Sequence, residues 1–486
     1  MNEDLQEQLL EEAAYDDRLA RITIRDEVHC QVTGLLPFHR EELHQLWSIR
    51  MEKAWFDPRF KQGIWDGTLK YFEKNGATRI RLLPDIIPWL AEKGYKFELN
   101  DKRKPKKTFP KIDQEYFKDH GEILRYYQVD ATNALLEAGE GIAVLATAGG
   151  KTFISAALAS CHGELKSITI VPTSRLVRKT YKDFQAVGLD IGRFYGKIKE
   201  PDHQHVVCNW QTLQNHRELL KDFQVVIVDE VHGSRAKIMN ELLVLGHGRH
   251  IQYRYGMTGT MPKPKTDRTT IRCALGEVVY TIDAKRLMDE GWIANLDIRV
   301  CQLQDSLDFD DTFKWEAEKN FLVHNKKRLA MMADLIREIA KSGNTLVLVE
   351  NLPVGEVLHS FLEGSVWLQG STSLEDREED FARFEHENNK ITVATYGIMQ
   401  MGESIDRIYN MVLVDAGASF IRTIQSIGRG LRKAADKHHV WMHDLCSNGK
   451  YGKRHLKKRL SYYKEAHYPY RVDEIHLDTD FLLELE

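Results

Sequence analysis

The residues best placed to do chemistry close the stretch Gly141 to Thr152, GIAVLATAGGKT. Ala146, Thr147, Ala148, Gly149 and Gly150 form a run of small residues, so the backbone can turn tightly and approach a ligand. Lys151 adds a cation and Thr152 a hydroxyl able to ligate Mg²⁺, and the N–H groups opening a helix would point at an anion. The chemistry implied is phosphate binding. Leu145 stands where the usual pattern has its opening glycine. A second group lies in FQVVIVDEVH, Phe223 to His232, where an aliphatic run ends in two carboxylates. Asp229 would hold the water shell of Mg²⁺, and Glu230 would orient and deprotonate an attacking water. Together the two groups predict a site that hydrolyses a nucleotide.

Further residues could complete such a site. Gln128, in LRYYQ, can present its amide to an adenine edge, accepting and donating at once. Thr258 and Thr260, in GMTGT, could hydrogen-bond the acidic strand end and relay its state. Arg429 and Arg432, in QSIGRGLR, are spaced i, i+3 and share one helix face. Two guanidiniums there suit phosphate oxygens, as arginine fingers supplied in cis.

These groups need elements to carry them. Ile142–Leu145, Ser167–Val171 and Val225–Val228 read as buried parallel strands, and the phosphate loop runs into a helix. From Asn344 the rhythm restarts with NTLVLVE, ITVAT and MVLVDA, a second α/β half without a Gly-Lys-Thr loop. Before the first half, RITIRDEVHCQV alternates as a half-buried strand does. Phe38 to Met51 has helical spacing, RIRLLPDIIPWLAEKG reads as a strand and a helix, and YKFEL as a strand. WFDPRFKQGIWDGTLKYFEK, Trp55 to Lys74, interleaves aromatics with cations, Arg59 and Trp65 among them. That mixture suits base stacking with phosphate contact, or else a small core with a charged rim. The run DKRKPKKTFP reads as a linker or a phosphate-touching strap. GKYGKRHLKKRLSYYK is basic with interleaved tyrosines, a phosphate-tracking face that includes Lys453 and Lys457. The closing VDEIHLDTDFLLELE is acidic and would cap a lobe.

The expected division is an acidic extension (1–20), an N-terminal accessory domain (21–108), a first lobe (109–295), a second lobe (296–447) and a basic segment with acidic tail (448–486). The 486 residues accommodate about three domains. Net charge is −4, so nucleic-acid binding must come from local patches. The six cysteines show no CxxC spacing, against a zinc module or disulfide framework and in keeping with a reducing cytoplasm. The acidic start is not a signal peptide, and no apolar run approaches the ~20 residues that span a bilayer.

LRYYQ, ATAGGKT, VPTSR, DEVH, TGT, GESID and QSIGRGLR stand in the order of the motifs of superfamily-two helicases, and DEVH resembles the DExH box. FDPRFKQGIWDGTLKYFEK resembles the accessory-domain signature of the phage recombination helicases in that superfamily. The resemblance implies two tandem RecA-like parallel-sheet lobes with a small N-terminal α/β domain. It also implies ATP hydrolysis with Mg²⁺ and remodelling of branched DNA: forks, four-way junctions and R-loops. By position it makes Arg125 a neighbour of the adenine reader and His232 a coupling residue. It places Gln425 with Arg429 and Arg432 near the γ-phosphate. Gly402 and Asp406, in GESID, fall in a nucleotide-contacting motif whose usual wording, Arg-Gly-Ile-Asp, is altered here. Thr173, Arg175, Gln211 and Thr395 would touch the nucleic-acid backbone. The partners expected are branched or duplex DNA and RNA–DNA hybrids, for a monomer in the cytoplasm, the host's if the chain is of phage origin. RNA unwinding, or an ATP-gated clamp or duplex translocase that separates no strands, are the alternatives.

Overall fold

The computed structural model describes residues 18–52, 54–146, 148–231, 235–304, 315–399, 407–417 and 437–476. These fall into two compact units, Met1–Val144 with Lys151–Thr281, and Leu145–Gly150 with Ile282–Glu486.

The first unit opens with six short strands: β1 (Leu19–Ile24), β2 (His29–Thr33), β3 (Ser48–Arg50), β4 (Thr68–Lys70), β5 (Ala77–Arg79) and β6 (Lys96–Asp101). Four make a sheet in the order β5-β2-β1-β6, and β3 pairs with β4. Alternation in β1 sends Ala20, Ile22 and Ile24 inward, where they meet Leu83, Ile86 and Leu90 of the helix Leu83–Glu92. Two expectations change here. The helix expected through Met51 ends at Leu46, and β3 follows it, held by pairing with β4. The strand expected at RIRL lies earlier, as β5, which ends at Arg79. Ile80–Leu82 is a 3₁₀ turn feeding directly into the helix, whose first turn carries a proline, the residue preset for that position.

This sheet shares its unit with a larger one. Cys273, from the helix Lys265–Leu275, belongs to its core. Tyr71 donates its hydroxyl to the Thr266 carbonyl at 2.9 Å. The nearly buried Arg81 reaches the Glu27 and Cys273 carbonyls, each at 3.0 Å, and the Glu140 carboxylate at 2.8 Å. The basic run 102–107 is tied down as well: Arg103 pairs with Asp101 and Glu27, and Lys106 with Glu140.

The larger sheet comprises β7 (Glu140–Leu145), β8 (Ser167–Val171), β9 (Ile191–Tyr195), β10 (Ile198–Lys199), β11 (His205–Asn209), β12 (Val225–Asp229), β13 (Tyr253–Thr258) and β14 (Val278–Ile282). Its order is β10-β9-β11-β8-β12-β13-β7-β14. Every residue of β8, β11 and β13 is buried, as expected of parallel strands covered on both faces. In register, Asp229 lies beside Met257, and Thr258 beside Val144. The carboxyl ends of β7 and β12 are therefore separated by one strand, roughly 10 Å.

The second unit holds β15 (Asn295–Gln304), β16 (Thr345–Val349), β17 (Val366–Leu368), β18 (Ile391–Thr395), β19 (Asn410–Val414), β20 (His439–Ser447) and β21 (Tyr470–His476). Their order is β17-β18-β16-β19-β20-β15-β21, parallel throughout. The start of the acidic tail is thus a strand, β21, extending this sheet along β15 rather than a cap.

Candidate active site

The apolar run of β7 ends at the small-residue loop. Ala148 and Gly150 both have positive φ, +69° and +75°, so the loop turns sharply twice within three residues. Gly149 donates its N–H to the Ala146 carbonyl at 3.0 Å, and a Cβ added there would stand 2.9 Å from that same oxygen. The cradle is thus closed to any residue but glycine at that point, which suits an anion approached by backbone. The helix Lys151–Cys161 follows at once.

Lys151 Nζ lies 2.7 Å from Glu230 Oε1, an ion pair joining positions 79 residues apart in the sequence. In a regular strand, adjacent side chains point to opposite faces. Glu230 leaves β12 with φ +57°, and this left-handed turn breaks the alternation. Such a conformation in a non-glycine residue costs roughly 1–3 kcal/mol and concentrates at functional sites. Among the described residues no cluster of three His, Cys, Asp or Glu could hold a metal. Mg²⁺ keeps several waters and takes one or two protein ligands beside phosphate oxygens. Thr152 and Asp229 are of the right type for that role.

Gln128 is 3 % exposed, and its Oε1 accepts the Arg125 N–H at 2.8 Å. This caps the helix Tyr126–Ala138 and fixes the carboxamide's orientation. Arg125 in turn donates to the Tyr127 hydroxyl at 2.7 Å. Thr258 is buried and donates to the Thr260 carbonyl at 2.9 Å, within its own turn.

The type III restriction enzyme res-subunit family matches residues 122–263. The ATP-dependent DNA helicase UvsW of Enterobacteria phage T4 is 25 % identical over 440 residues, 85 % of this chain and 87 % of UvsW. This chain resembles the superfamily-two helicases, UvsW among them. As an enzyme it is an ATP-dependent helicase. Its fold is that of such helicases. The fragment structure of a putative HsdR subunit of a type I restriction enzyme from Vibrio vulnificus superposes with TM-score 0.57 at 18 % identity, covering 73 % of this chain and 69 % of that one. S. cerevisiae Dbp5 bound to RNA and ADP BeF3 gives 0.50 at 15 %, covering 76 % and 93 %. The mixed α/β architecture, parallel sheets of RecA-like type with an N-terminal α/β region, is the one the motif order implied.

The helicase's other candidate residues sit as follows. Thr173 Oγ1 accepts the Leu176 N–H at 3.3 Å, capping the helix Ser174–Ala186. Arg175 is in that helix's first turn, and Gln211 is exposed on the helix Trp210–Asn215. Sequence reasoning missed Asn209. It caps the latter helix through Thr212 N at 3.0 Å and donates to Ser174 Oγ at 2.9 Å, tying the ends of β11 and β8 together. An asparagine directly before a helix is an N-cap signal that could have found it. Arg59 lies over the Trp65 ring, 5.0 Å from its centroid, while Asp57 accepts from its guanidinium at 2.9 and 3.1 Å. The pair is together, but the cation is already matched.

In the second unit, Thr395 ends β18. Lys453 and Lys457 are exposed one turn apart on the helix Lys450–Glu465. Arg459, from the same basic run, faces inward instead. Its Nε and Nη2 bind the Asp444 carboxylate at 2.8 and 2.9 Å, and both side chains are 0 % exposed. Tyr463, another member of the run, donates to Asp444 at 2.8 Å. These two hold the helix on the sheet, so neither can belong to a phosphate-tracking face. The helix's first turn is also occupied: Glu318, fully buried, accepts from Tyr451 N at 2.9 Å and Gly452 N at 2.8 Å. Thr147, His232, Gly402, Asp406, Gln425, Arg429 and Arg432 lie outside the described residues.

Proposed function

We propose that this helicase couples ATP hydrolysis to remodelling of branched DNA, such as forks, four-way junctions and R-loops, in recombination, repair and replication. The observation that carries the catalytic half is the Lys151–Glu230 ion pair, contributed by the first residue of the helix after the small-residue loop and the residue following β12. Lys151 serves two partners in turn. While it neutralises Glu230, that carboxylate is a poor proton acceptor; drawn onto the β- and γ-phosphates, it frees Glu230 to take a proton from water. Mg²⁺, held through Thr152 and Asp229, would offset phosphate charge as the γ-phosphoryl transfers. Gln128 reads adenine beside Arg125, while Gln425, Arg429 and Arg432 act on the γ-phosphate. Gly402 and Asp406 contact the nucleotide, and His232, Thr258 and Thr260 pass its state onward.

Support for DNA comes from the likeness to UvsW, itself a DNA helicase. Arg59, Trp65, Thr173, Arg175, Gln211, Thr395, Lys453 and Lys457 are assigned to strand or backbone contact. No helix among the described residues is long and apolar enough to cross a membrane. On the likeness to the phage T4 helicase we place the protein in the cytoplasm of a phage host.

The test compares ATPase stimulation by a four-way junction, plain duplex and RNA, in the wild type and in Arg59→Ala/Trp65→Ala. Truncation at residue 108 is the wrong tool, because it would strip Arg81 from Glu140 and Cys273. Greatest stimulation by the junction, reduced in the double variant, supports the reading. Equal stimulation by RNA refutes the DNA assignment.

A further inference from the structure

The second sheet has a crevice of its own. From β16 the chain proceeds to β17 and β18 on one side, whereas β19 lies on the other. Strand order therefore reverses between β16 and β19, the point where open parallel sheets place ligands. A cavity of about 320 Å³ opens there, lined in part by Trp315, Lys319, Glu350, Asn351, Asp415 and His455. Its size is at the low end of small-molecule sites, about 300–1,000 Å³. Glu350 and Asn351 directly follow β16, and Asp415 directly follows β19.

Two features define what would fit. Trp315 is 40 % exposed, and Tyr451 and His455 meet it at 5.3 and 5.4 Å with rings inclined by 60° and 67°. They brace the indole without lying flat on it, leaving a platform of the kind on which bases stack. The polar lining is rich in acceptors. Asp415 is held by Arg328 through bonds of 2.6 and 2.8 Å, so its charge is balanced while its remaining lone pairs can accept from a neutral donor. Carboxylate oxygens of this kind accept from the amino group of a base. Exposed Lys319 adds a cation to the lining.

We propose that this cavity receives one unpaired base of a nucleic-acid strand, stacked on Trp315 and hydrogen-bonded through its amino group to Glu350 or Asp415, with Lys319 on the adjoining phosphate. The proposal rests on the nucleic-acid reading above and adds a site and a base preference to it. Cytosine and adenine carry such an amino group and thymine does not. The cavity therefore favours the first two.

The experiment measures binding of labelled oligodeoxycytidine, oligodeoxyadenosine and oligothymidine to the full chain at one fixed salt concentration. It uses the wild type, Trp315→Ala, Trp315→Phe and Glu350→Gln, each checked for folding by its melting curve. The wild type should bind the cytosine and adenine strands more tightly than the thymine strand. Trp315→Ala should weaken binding by about tenfold, as loss of one stacked base does, and Trp315→Phe should restore most of it. Glu350→Gln should narrow the cytosine–thymine gap. Equal wild-type affinity for all three strands would overturn the proposal, as would unchanged binding by folded Trp315→Ala. If Trp315→Ala fails to fold, the wild-type preference and Glu350→Gln decide. Strand-stimulated ATPase without base preference sinks the cavity alone, whereas no binding to any strand sinks the nucleic-acid reading with it.

Discussion

Arg459 and Lys457 are two residues apart in one basic run, and they should fail in opposite ways. Arg459 makes two charge-assisted bonds to Asp444, at 2.8 and 2.9 Å, with both side chains fully buried. Its Nη1 also donates to the Ala416 carbonyl. Arg459→Met would leave the Asp444 carboxylate buried with only the Tyr463 hydroxyl and lost charge compensation. Breaking a buried pair on one side costs about 3–5 kcal/mol. A unit of this size shifts its melting temperature by about 2–4 °C per kcal/mol, so the expected drop is roughly 6–20 °C. Lys457→Ala, at an exposed position, should change stability by no more than about 0.5 kcal/mol. It should instead lower the slope of log affinity against log salt by about 1 for a strand it contacts. Calorimetry of the second unit's transition, paired with salt-dependent binding, reads both. The double variant Arg459→Met/Asp444→Leu should recover part of the loss, since no unpaired charge remains. A melting temperature unmoved by Arg459→Met, with binding lost instead, would refute the burial argument and return Arg459 to the nucleic-acid face.

Acid should destabilise the fold through its buried histidines. Burial pushes the pKa of His162 down to about 3, and those of His205 and His443 to about 4. The unfolded chain then binds more protons between those values and about 6.5, so stability falls as pH drops through that window. Each histidine should cost about 2 kcal/mol between pH 7.5 and 5. Urea unfolding across that range measures it, and a stability flat in pH contradicts it. Gly149→Ala would set a Cβ 2.9 Å from the Ala146 oxygen and force the loop open. Nucleotide turnover should fall by up to about 10²-fold, the effect of a displacement near 1 Å, with little change in melting temperature. Unaltered kinetics would mean that the loop does not cradle the phosphates.

What the sequence made legible follows from what its patterns encode. Strands such as SITIV and TLVLV are covered on both faces, so burial wrote them as unbroken apolar runs. Lys151 and Glu230 could be named from their motifs, but their pairing depends on β13 alone separating β7 from β12, which no local pattern records. Charge along a chain does not say which way a helix faces, so the basic run alone does not separate the buried Arg459 from the exposed Lys453 and Lys457. The correcting signal was present: Leu456, Arg459 and Tyr463 are spaced i, i+3, i+7 and are the buried stripe of their helix. β21 was hidden because it is an edge strand, mostly exposed, whose acidic composition resembles a tail.

The most direct measurement is the strand-stimulated ATPase turnover of Glu230→Gln, taken beside its nucleotide affinity. Glutamine removes the proton acceptor while keeping the shape beside Lys151. Turnover should fall by about 10²–10⁴-fold, as loss of a general base does, with nucleotide still bound. Near-normal turnover would contradict the assignment of Glu230 and, with it, the catalytic exchange between Glu230 and Lys151.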